Sequence, residues 1–167
     1  MDKIQLSEIK MQKDIIKLLR KRGIPVMMEG VGHISLNDLK KYVKLIREDF
    51  YIPFMPLGPI PTDRAIGWDH VSAAIGASYM ALLDGADIIN AVTREEHTGG
   101  VPNTNSIYEA IKSAQVVVNS INDVRFFEQY NKVQDGRKTN CMGIIKEDIG
   151  CERCKEECPF LLNKPLE

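Results

Sequence analysis

The stretch IPVMMEGVGH, residues 24–33, sets the pattern from which the fold can be predicted. A short apolar run that ends in glycines and a polar residue is typical of a buried parallel strand followed by a ligand-binding loop. Before it, the spacing of apolar residues predicts a helix of about 16 residues, with Ser7 as its N-cap and Gly23 as its stop. After it, Ser35 and Asp38 form an S-x-x-D pattern that predicts the start of a second helix. We expect one face of that helix to be buried, through Leu36, Leu39, Val43 and Ile46.

The same alternation of strand and helix recurs twice further along the chain. Residues 53–59 predict a short strand and a Pro/Gly-rich loop, and the Ala/Gly/Ser-rich residues 68–83 predict a closely packed helix. Residues 86–92 predict a third strand, which a loop and a helix over 104–121 follow. The order predicts an α/β fold with a parallel sheet and covering helices. A closed parallel barrel needs about eight strands, and only three are predicted here. The chain is therefore either a small open α/β layer or part of a barrel.

Bulk composition excludes several classes of function. The chain has 167 residues, of which 44% are hydrophobic and 27% charged, and its formal net charge is −1. Nothing in this balance predicts binding to nucleic acid or to an anionic membrane. The apolar runs are far shorter than the roughly 20 residues of a membrane span, and the polar start MDKIQLSEIKMQKD does not resemble a signal peptide. We therefore expect a cytoplasmic protein.

Polar residues follow each of the three predicted strands. In parallel α/β folds such residues converge at the carboxyl ends of the strands, where ligands bind. His33 and His97 occupy equivalent places, and two converging imidazoles suit a single Zn, Fe or Co ion. His70 opens a predicted helix, where a capping or packing role is favoured. The other residues after the strands are Glu29, Thr62, Asp63, Thr93, Glu95 and Glu96. Asp63 and Asp69 are further candidates for polar lining of the site, although a solvated or capping role is favoured for each.

Three cysteines crowd the end of the sequence, in Gly150-Cys151-Glu152-Arg153-Cys154-Lys155-Glu156-Glu157-Cys158-Pro159. In a chain without a signal peptide this spacing favours metal over disulfides. Three thiolates would leave one iron of a 4Fe–4S cluster open. S-adenosylmethionine (SAM) chelates such an iron in radical SAM enzymes, and electron transfer from the cluster then cleaves the sulfonium to give a 5′-deoxyadenosyl radical. The usual order there is C-x3-C-x2-C, which is reversed here.

Two other interpretations of the cysteines stay open. The C-x2-C-x3-C-P run also matches part of a bacterial ferredoxin motif, although Asp148 stands where a further cysteine belongs. Cys141 could then close the cluster as a distant fourth ligand, which would make the protein an electron carrier. Four thiolates could also hold a structural zinc ion. Cys141 by itself is most simply a spare thiol.

Several motifs in order resemble the phosphomethylpyrimidine synthase family of radical SAM enzymes. VMMEGVGHISL resembles its VMVEGPGHVP-type segment, and LGPIPTDRAIGWDHVSAAIGA resembles its LGP-x2-TD-x2-PGYDH segment. AVTREEHTGGVPN resembles its YVTP-x-EH-LG-LPN segment, and the interval from His33 to His97 is the same. The dense similarity covers residues 24–118, and the cysteine trio is separate from it.

The resemblance implies a partial (β/α)8 barrel, its C-terminal half, over residues 1–121, followed over 122–167 by a linker and an iron–sulfur cluster-binding tail. It implies a lyase that rearranges 5-aminoimidazole ribotide into the thiamine pyrimidine phosphate. Glu29 would contact substrate, and His33 and His97 would bind a divalent metal (Zn or Fe). Cys151, Cys154 and Cys158 would hold a 4Fe–4S cluster that works with SAM. The family's cluster arm reaches into a partner subunit, which implies a homodimer, or here a complex with a chain that supplies the front half of the barrel.

This sequence also departs from the family pattern. The cysteine spacing is x2 then x3 where the family has x2 then x4, Val31 replaces the proline of GPGH, and Met55 replaces a substrate-contacting tyrosine. Close relatives of the family make 5-hydroxybenzimidazole from the same ribotide for cobamide synthesis, and altered pocket residues fit such a paralogue as well. A non-catalytic iron–sulfur or zinc-binding protein is the third interpretation.

Overall fold

The computed structural model describes residues 2–48 and 52–125. The elements in chain order are α1 (Lys3–Lys21), β1 (Met28–Gly30), α2 (Leu36–Arg47), β2 (Phe54–Pro56), α3 (Asp69–Leu82) and α4 (Thr104–Arg125). The chain divides into two units, Met1–Ile121 and Asn122–Glu167. The predicted cluster-binding tail lies outside the described residues, and both its role and that of the linker stay predictions.

Helix α1 begins earlier than predicted because Asp2, not Ser7, is its N-cap. The Asp2 carboxylate accepts a hydrogen bond from the Gln5 backbone N–H at 2.9 Å, and the Gln5 side chain accepts one from the Asp2 N–H at 2.9 Å. This reciprocal capping box satisfies two of the free donors at the helix start. Ser7 lies inside the helix, where its hydroxyl donates to the Lys3 carbonyl at 2.9 Å. The predicted stop at Gly23 is confirmed, with a φ of 72° that favours glycine.

Helix α2 begins as the sequence predicts. The Ser35 side chain accepts a hydrogen bond from the Asp38 backbone N–H at 3.3 Å. Its buried face contains three of the four predicted residues, because Leu36 is 39% exposed. The face also includes Tyr42, which lies against the ring of Phe54 with 6.2 Å between ring centroids. The buried residues of α2 are Leu39, Tyr42, Val43 and Ile46.

The two strands pair in parallel, as predicted, with α2 as the connection between them. Met28 lies opposite Phe54, Glu29 opposite Met55, and Gly30 opposite Pro56. Pairing resumes past the strand ends, where His33 forms an isolated parallel bridge with Ile60. The two loops that leave the sheet therefore run side by side, which brings their polar side chains close together.

The predicted third strand over residues 86–92 is wrong, although this segment lies beside β2. The backbone N–H groups of Asp87 and Ile88 both donate to the Phe54 carbonyl, at 2.9 and 3.2 Å. The Asp87 side chain, in turn, accepts from the Phe54 N–H at 2.8 Å, in place of a backbone carbonyl. Because N–H groups along a strand point alternately to either side, the next donor toward this segment would come from residue 56. That residue is Pro56, which has no N–H, so the ladder stops.

The small residues of α3 allow the close approach that the sequence predicts. A Cβ added at Gly76 would lie 1.9 Å from the Pro59 carbonyl oxygen, so a side chain there cannot fit without movement of the backbone. Ala73, Ala77 and Ala81 on the same helix are buried. This contact fixes α3 against the loop that follows β2, and so fixes where α3 begins relative to that loop.

Within residues 2–48 and 52–125, none of the helices has the length and apolar character that crossing a membrane would require.

Because Tyr42 is buried, the stability of the fold should depend on pH in the alkaline range. The pKa of Tyr42 is raised to about 12, chiefly because burial removes the phenol from water; a hydrogen bond with the Val31 backbone opposes this shift, and the charge of Glu8 adds to it. The folded state thus favours the neutral phenol. This stabilisation is complete below the unfolded pKa of about 10 and is lost as the pH rises from 10 through 12.

We expect the free energy of unfolding to fall by about 2 to 3 kcal/mol over this interval through Tyr42 alone. Urea denaturation between pH 9 and 12 should show a steeper loss for the wild type than for Tyr42→Phe. Tyr108, which is 61% exposed, provides the matched control, because Tyr108→Phe should keep the wild-type pH dependence. Equal slopes for the wild type and Tyr42→Phe would contradict this assignment.

Candidate metal centre

The backbone beyond β1 and β2 brings His33 next to Asp63. The Ile34 N–H donates to the Ile60 carbonyl at 3.3 Å, and the Ile60 N–H donates to the Gly32 carbonyl at 2.8 Å. Asp63 follows three residues after Ile60 in a turn, and its Oδ1 lies 2.7 Å from Nδ1 of His33. Continued parallel pairing thus explains why two residues 30 positions apart in the sequence are in contact.

The third member, His97, lies in a turn that two side-chain contacts hold in place. At one end, Arg94 donates through Nε to Glu109 of α4 at 2.9 Å. At the other, the His97 backbone N–H donates to Oδ2 of Asp69 at 3.2 Å, and His97 Nδ1 is hydrogen bonded to Oδ1 of Asp69. Contacts with the start of α3 and with α4 therefore determine the position of the His97 imidazole.

Together these contacts bring His33, Asp63 and His97 to one place. Nε2 of His97 lies 3.1 Å from Oδ1 of Asp63, and the two imidazole rings meet edge to face, with centroids 4.8 Å apart. One nitrogen from each histidine and one carboxylate oxygen lie within 4.8 Å of one another. The side chains of His33, Asp63 and His97 are 47%, 72% and 14% exposed, so the group is open to solvent on the side of Asp63.

Hydrogen bonding shifts the pKa values of this group in opposite directions. Hydrogen bonds from His33 and then His97 lower the pKa of Asp63. Hydrogen bonds to Asp63 and then Asp69 raise the pKa of His97, against a smaller opposing effect of burial. A His97 ring that carries a proton on both nitrogens donates to two carboxylates, from Nδ1 to Asp69 and from Nε2 to Asp63. A cation at the same place would neutralise the same negative charge.

The donor set fits a divalent metal ion. Two imidazole nitrogens and a carboxylate oxygen are ligands that Zn²⁺ and Fe²⁺ take in proteins. Ligand atoms about 2.1 Å from an ion lie roughly 3.4 Å apart in a tetrahedron. The separations of 2.7 and 3.1 Å from Asp63 Oδ1 to the two nitrogens are shorter than that value, and all three ligand atoms lie within 4.8 Å of one another, so side-chain rotations would bring them around one ion.

Glu29 lies in β1, exposed, on the wall of a cavity of about 450 Å³ between α1 and the loop after β1. His33 lines the same cavity, so the predicted substrate contact and one predicted metal ligand share a solvent-open space. The polar side chains in its wall are Gln5, Glu8, Gln12, Glu29, His33 and Tyr42. The structure thus places Glu29 beside the candidate metal centre, and its role stays a prediction.

The outcome for the other predicted residues is mixed. His70 is 8% exposed and its ring stacks on Trp68 with 5.9 Å between centroids, in agreement with the packing role. Cys151, Cys154 and Cys158 lie outside the described residues, as does Cys141. The sequence indicated Asp63 and Asp69 only as further candidates for polar lining, and it gave no sign of the contact between Asp69 and His97. The sequence signal for Asp69 was its position as an acidic residue at the start of the predicted third helix.

Comparison with known proteins supports the resemblance seen in the motifs. The profile of the "Radical SAM ThiC family" matches residues 1–158. The phosphomethylpyrimidine synthase of Pyrococcus abyssi is 34% identical over 132 residues, which is 78% of this chain and 30% of that protein. The enzyme of the same name from Carboxydothermus hydrogenoformans is 34% identical over 154 residues, which is 91% of this chain and 34% of that protein.

The chain thus spans about a third of the length of the curated relatives that it matches. The match nevertheless extends over most of the chain and includes the segments that carry His33, Asp63 and His97. Membership of a radical SAM family implies a 4Fe–4S cluster and SAM as cofactors. On this evidence, the chain belongs to the radical SAM ThiC family.

Proposed function

We propose that this chain is the cluster-bearing part of a radical SAM lyase that rearranges 5-aminoimidazole ribotide into the thiamine pyrimidine phosphate. Family membership and the name of its relatives, phosphomethylpyrimidine synthase, support the reaction class. The observation that carries the proposal is the meeting of His33, Asp63 and His97, three residues from separate motifs, at one solvent-open place.

In this proposal, His33 and His97 hold a divalent metal ion, Zn or Fe, near the methionine end of SAM. Asp63 adds a carboxylate oxygen to the two imidazole nitrogens and offsets one positive charge of the ion. The exposure of Asp63 leaves the outer side of the site open, so a small ligand can reach the ion from solvent. The protein residues therefore supply part of the coordination and leave room for the cofactor.

Cys151, Cys154 and Cys158 hold the 4Fe–4S cluster in the same proposal. When bound, the cluster supplies one electron that breaks the sulfur–C5′ bond of SAM, which gives methionine and a 5′-deoxyadenosyl radical. Cys141 is not a ligand, so one iron stays open to the cofactor.

In this proposal, Glu29 positions the substrate in the cavity whose wall it shares with His33. An ionised carboxylate accepts hydrogen bonds, and the amino group of 5-aminoimidazole ribotide is a donor. The neighbouring Glu8, Gln5 and Gln12 side chains add further polar groups, which suits a hydrophilic sugar phosphate better than an apolar ligand.

One observation favours 5-hydroxybenzimidazole as an alternative product. Met55 lies directly opposite Glu29 in the parallel register, so both side chains project from the same face of the sheet. The face beside Glu29 therefore presents a thioether where the family has a phenolic hydroxyl. Mass spectrometry of the products formed from the ribotide and SAM distinguishes the two lyases.

The remaining strands of the barrel are proposed to come from a second copy or from a chain that carries the front half. In the described residues, β1 pairs with a strand only on the side of β2. An open strand edge readily takes a further strand. The partial (β/α)8 barrel would then be completed in the assembly.

The cluster proposal predicts a SAM-dependent electron paramagnetic resonance signal. The chain is reconstituted with iron and sulfide, reduced anaerobically, and measured with and without SAM. We expect a reduced 4Fe–4S signal whose g-values change on addition of SAM, because SAM binds the open iron. Cys154→Ser should abolish the signal.

Cys141→Ser is the matched control, and it should keep both the signal and its response to SAM. A signal that is indifferent to SAM, or one that Cys141→Ser abolishes, would show a closed cluster typical of an electron carrier. Bound zinc without iron would support the non-catalytic interpretation.

The partner proposal predicts an assembly larger than one chain. Size-exclusion chromatography with light scattering at micromolar concentration should give a mass of at least two copies, or one copy plus a co-purified chain. A stable, soluble monomer of 18.8 kDa would argue against both forms of the partner.

A further inference from the structure

We propose that Asp69 is a positioning residue that fixes the tautomer of His97, so that Nε2 offers its lone pair to the metal ion. This inference rests on the proposed function, because it takes His97 as a ligand. It assigns to Asp69 a role in which it touches neither the metal nor the substrate and acts only through the imidazole.

The contacts of Asp69 all converge on His97. Its Oδ2 accepts a hydrogen bond from the His97 backbone N–H at 3.2 Å, and its Oδ1 is hydrogen bonded to Nδ1 of the same residue. Asp69 is 0% exposed, so water does not compete for either oxygen. It lies in the first turn of α3, where the helix dipole favours a negative charge.

This arrangement leaves one place for the proton of a neutral imidazole. An ionised carboxylate only accepts hydrogen bonds, so the proton must lie on Nδ1, facing Oδ1. Nε2 then carries the lone pair, and it is this nitrogen that faces Asp63 Oδ1 at 3.1 Å. Histidine ligands of metals commonly donate their other ring N–H to a carboxylate in this way, which raises their basicity.

Asparagine at position 69 would reverse the tautomer. An amide has one acceptor oxygen and one donor nitrogen, whereas the backbone N–H of His97 is always a donor. The arrangement that satisfies every group places the amide oxygen on that N–H and the NH₂ on Nδ1. His97 must then carry its proton on Nε2, the nitrogen needed for the metal.

If the role of Asp69 were purely structural, its Ala and Asn variants would rank differently in metal affinity. Asn is nearly isosteric with Asp, whereas Ala leaves a cavity and an unpaired buried N–H. If Asp69 only filled space, Asp69→Ala would weaken the site more than Asp69→Asn. If Asp69 selects the tautomer, Asp69→Asn must be the worse variant, because Ala imposes no tautomer on the ring.

The test measures Zn²⁺ affinity by chelator competition and the protonation of the His97 ring by ¹⁵N nuclear magnetic resonance. All samples are the full chain with its four cysteines replaced by serine, so that thiolates cannot capture zinc. We expect the wild-type site to show a protonated Nδ1. Asp69→Asn should bind Zn²⁺ about 10- to 100-fold more weakly, with the proton of neutral His97 on Nε2. Asp69→Ala should lie between the two.

Asp84→Asn is the matched control at the other end of α3. Asp84 has a φ of 58°, which asparagine tolerates well, so this variant should keep the wild-type affinity and tautomer. Affinity for Asp69→Asn within twofold of the wild type, or weaker binding by Asp69→Ala than by Asp69→Asn, would overturn the inference.

The outcomes separate this inference from the proposed function. If the wild-type site binds no Zn²⁺, the metal centre itself fails, while the spectrum of metal-free, neutral His97 still decides the role of Asp69. If Asp69→Asn does not fold, the wild-type spectrum alone is sufficient. A proton on Nε2 there would overturn the assignment, and a proton on Nδ1 would support it.

Discussion

A single carboxylate oxygen, Oδ1 of Asp63, lies between the imidazoles of His33 and His97, and the candidate site depends on this contact. The oxygen is 2.7 Å from one ring nitrogen and 3.1 Å from the other. Each of the three residues belongs to a different loop, so the contact requires all three loops to hold their positions. The raised pKa of His97 and the lowered pKa of Asp63 show that the negative charge gathered here attracts a proton in the absence of a metal ion.

The scaffold that holds this contact is built from backbone pairing and close packing. Parallel pairing extends past the strand ends to the bridge of His33 with Ile60, which places the first two loops side by side. Gly76 lets α3 approach the loop after β2, so that Asp69 at the start of that helix reaches His97. A site assembled on such elements keeps its ligands oriented before any ion binds.

Much of this arrangement could be predicted from the sequence, and the exceptions have physical causes. Helix periodicity and the cap at Ser35 located α2, and the positions of the histidines after apolar runs indicated a shared site. That residues 86–92 do not form a strand could not be predicted from their apolar run, because the ladder is ended by Pro56 on another segment and by the Asp87 side chain, which takes the place of a backbone carbonyl. Asp69 and His97 are 28 residues apart in the sequence, and only tertiary packing brings them together. No local sequence pattern can indicate such a contact. The cysteine trio stays a prediction from spacing alone.

The candidate metal centre requires that His33, Asp63 and His97 bind one divalent ion. X-ray absorption spectroscopy at the zinc edge, on the cysteine-free chain loaded with one equivalent of Zn²⁺, reports the ligands of that ion directly. We expect two imidazoles and at least one oxygen around the zinc, and the loss of one imidazole in His33→Ala and in His97→Ala. A zinc environment without imidazole, or one that is unchanged when both histidines are replaced, would contradict this expectation.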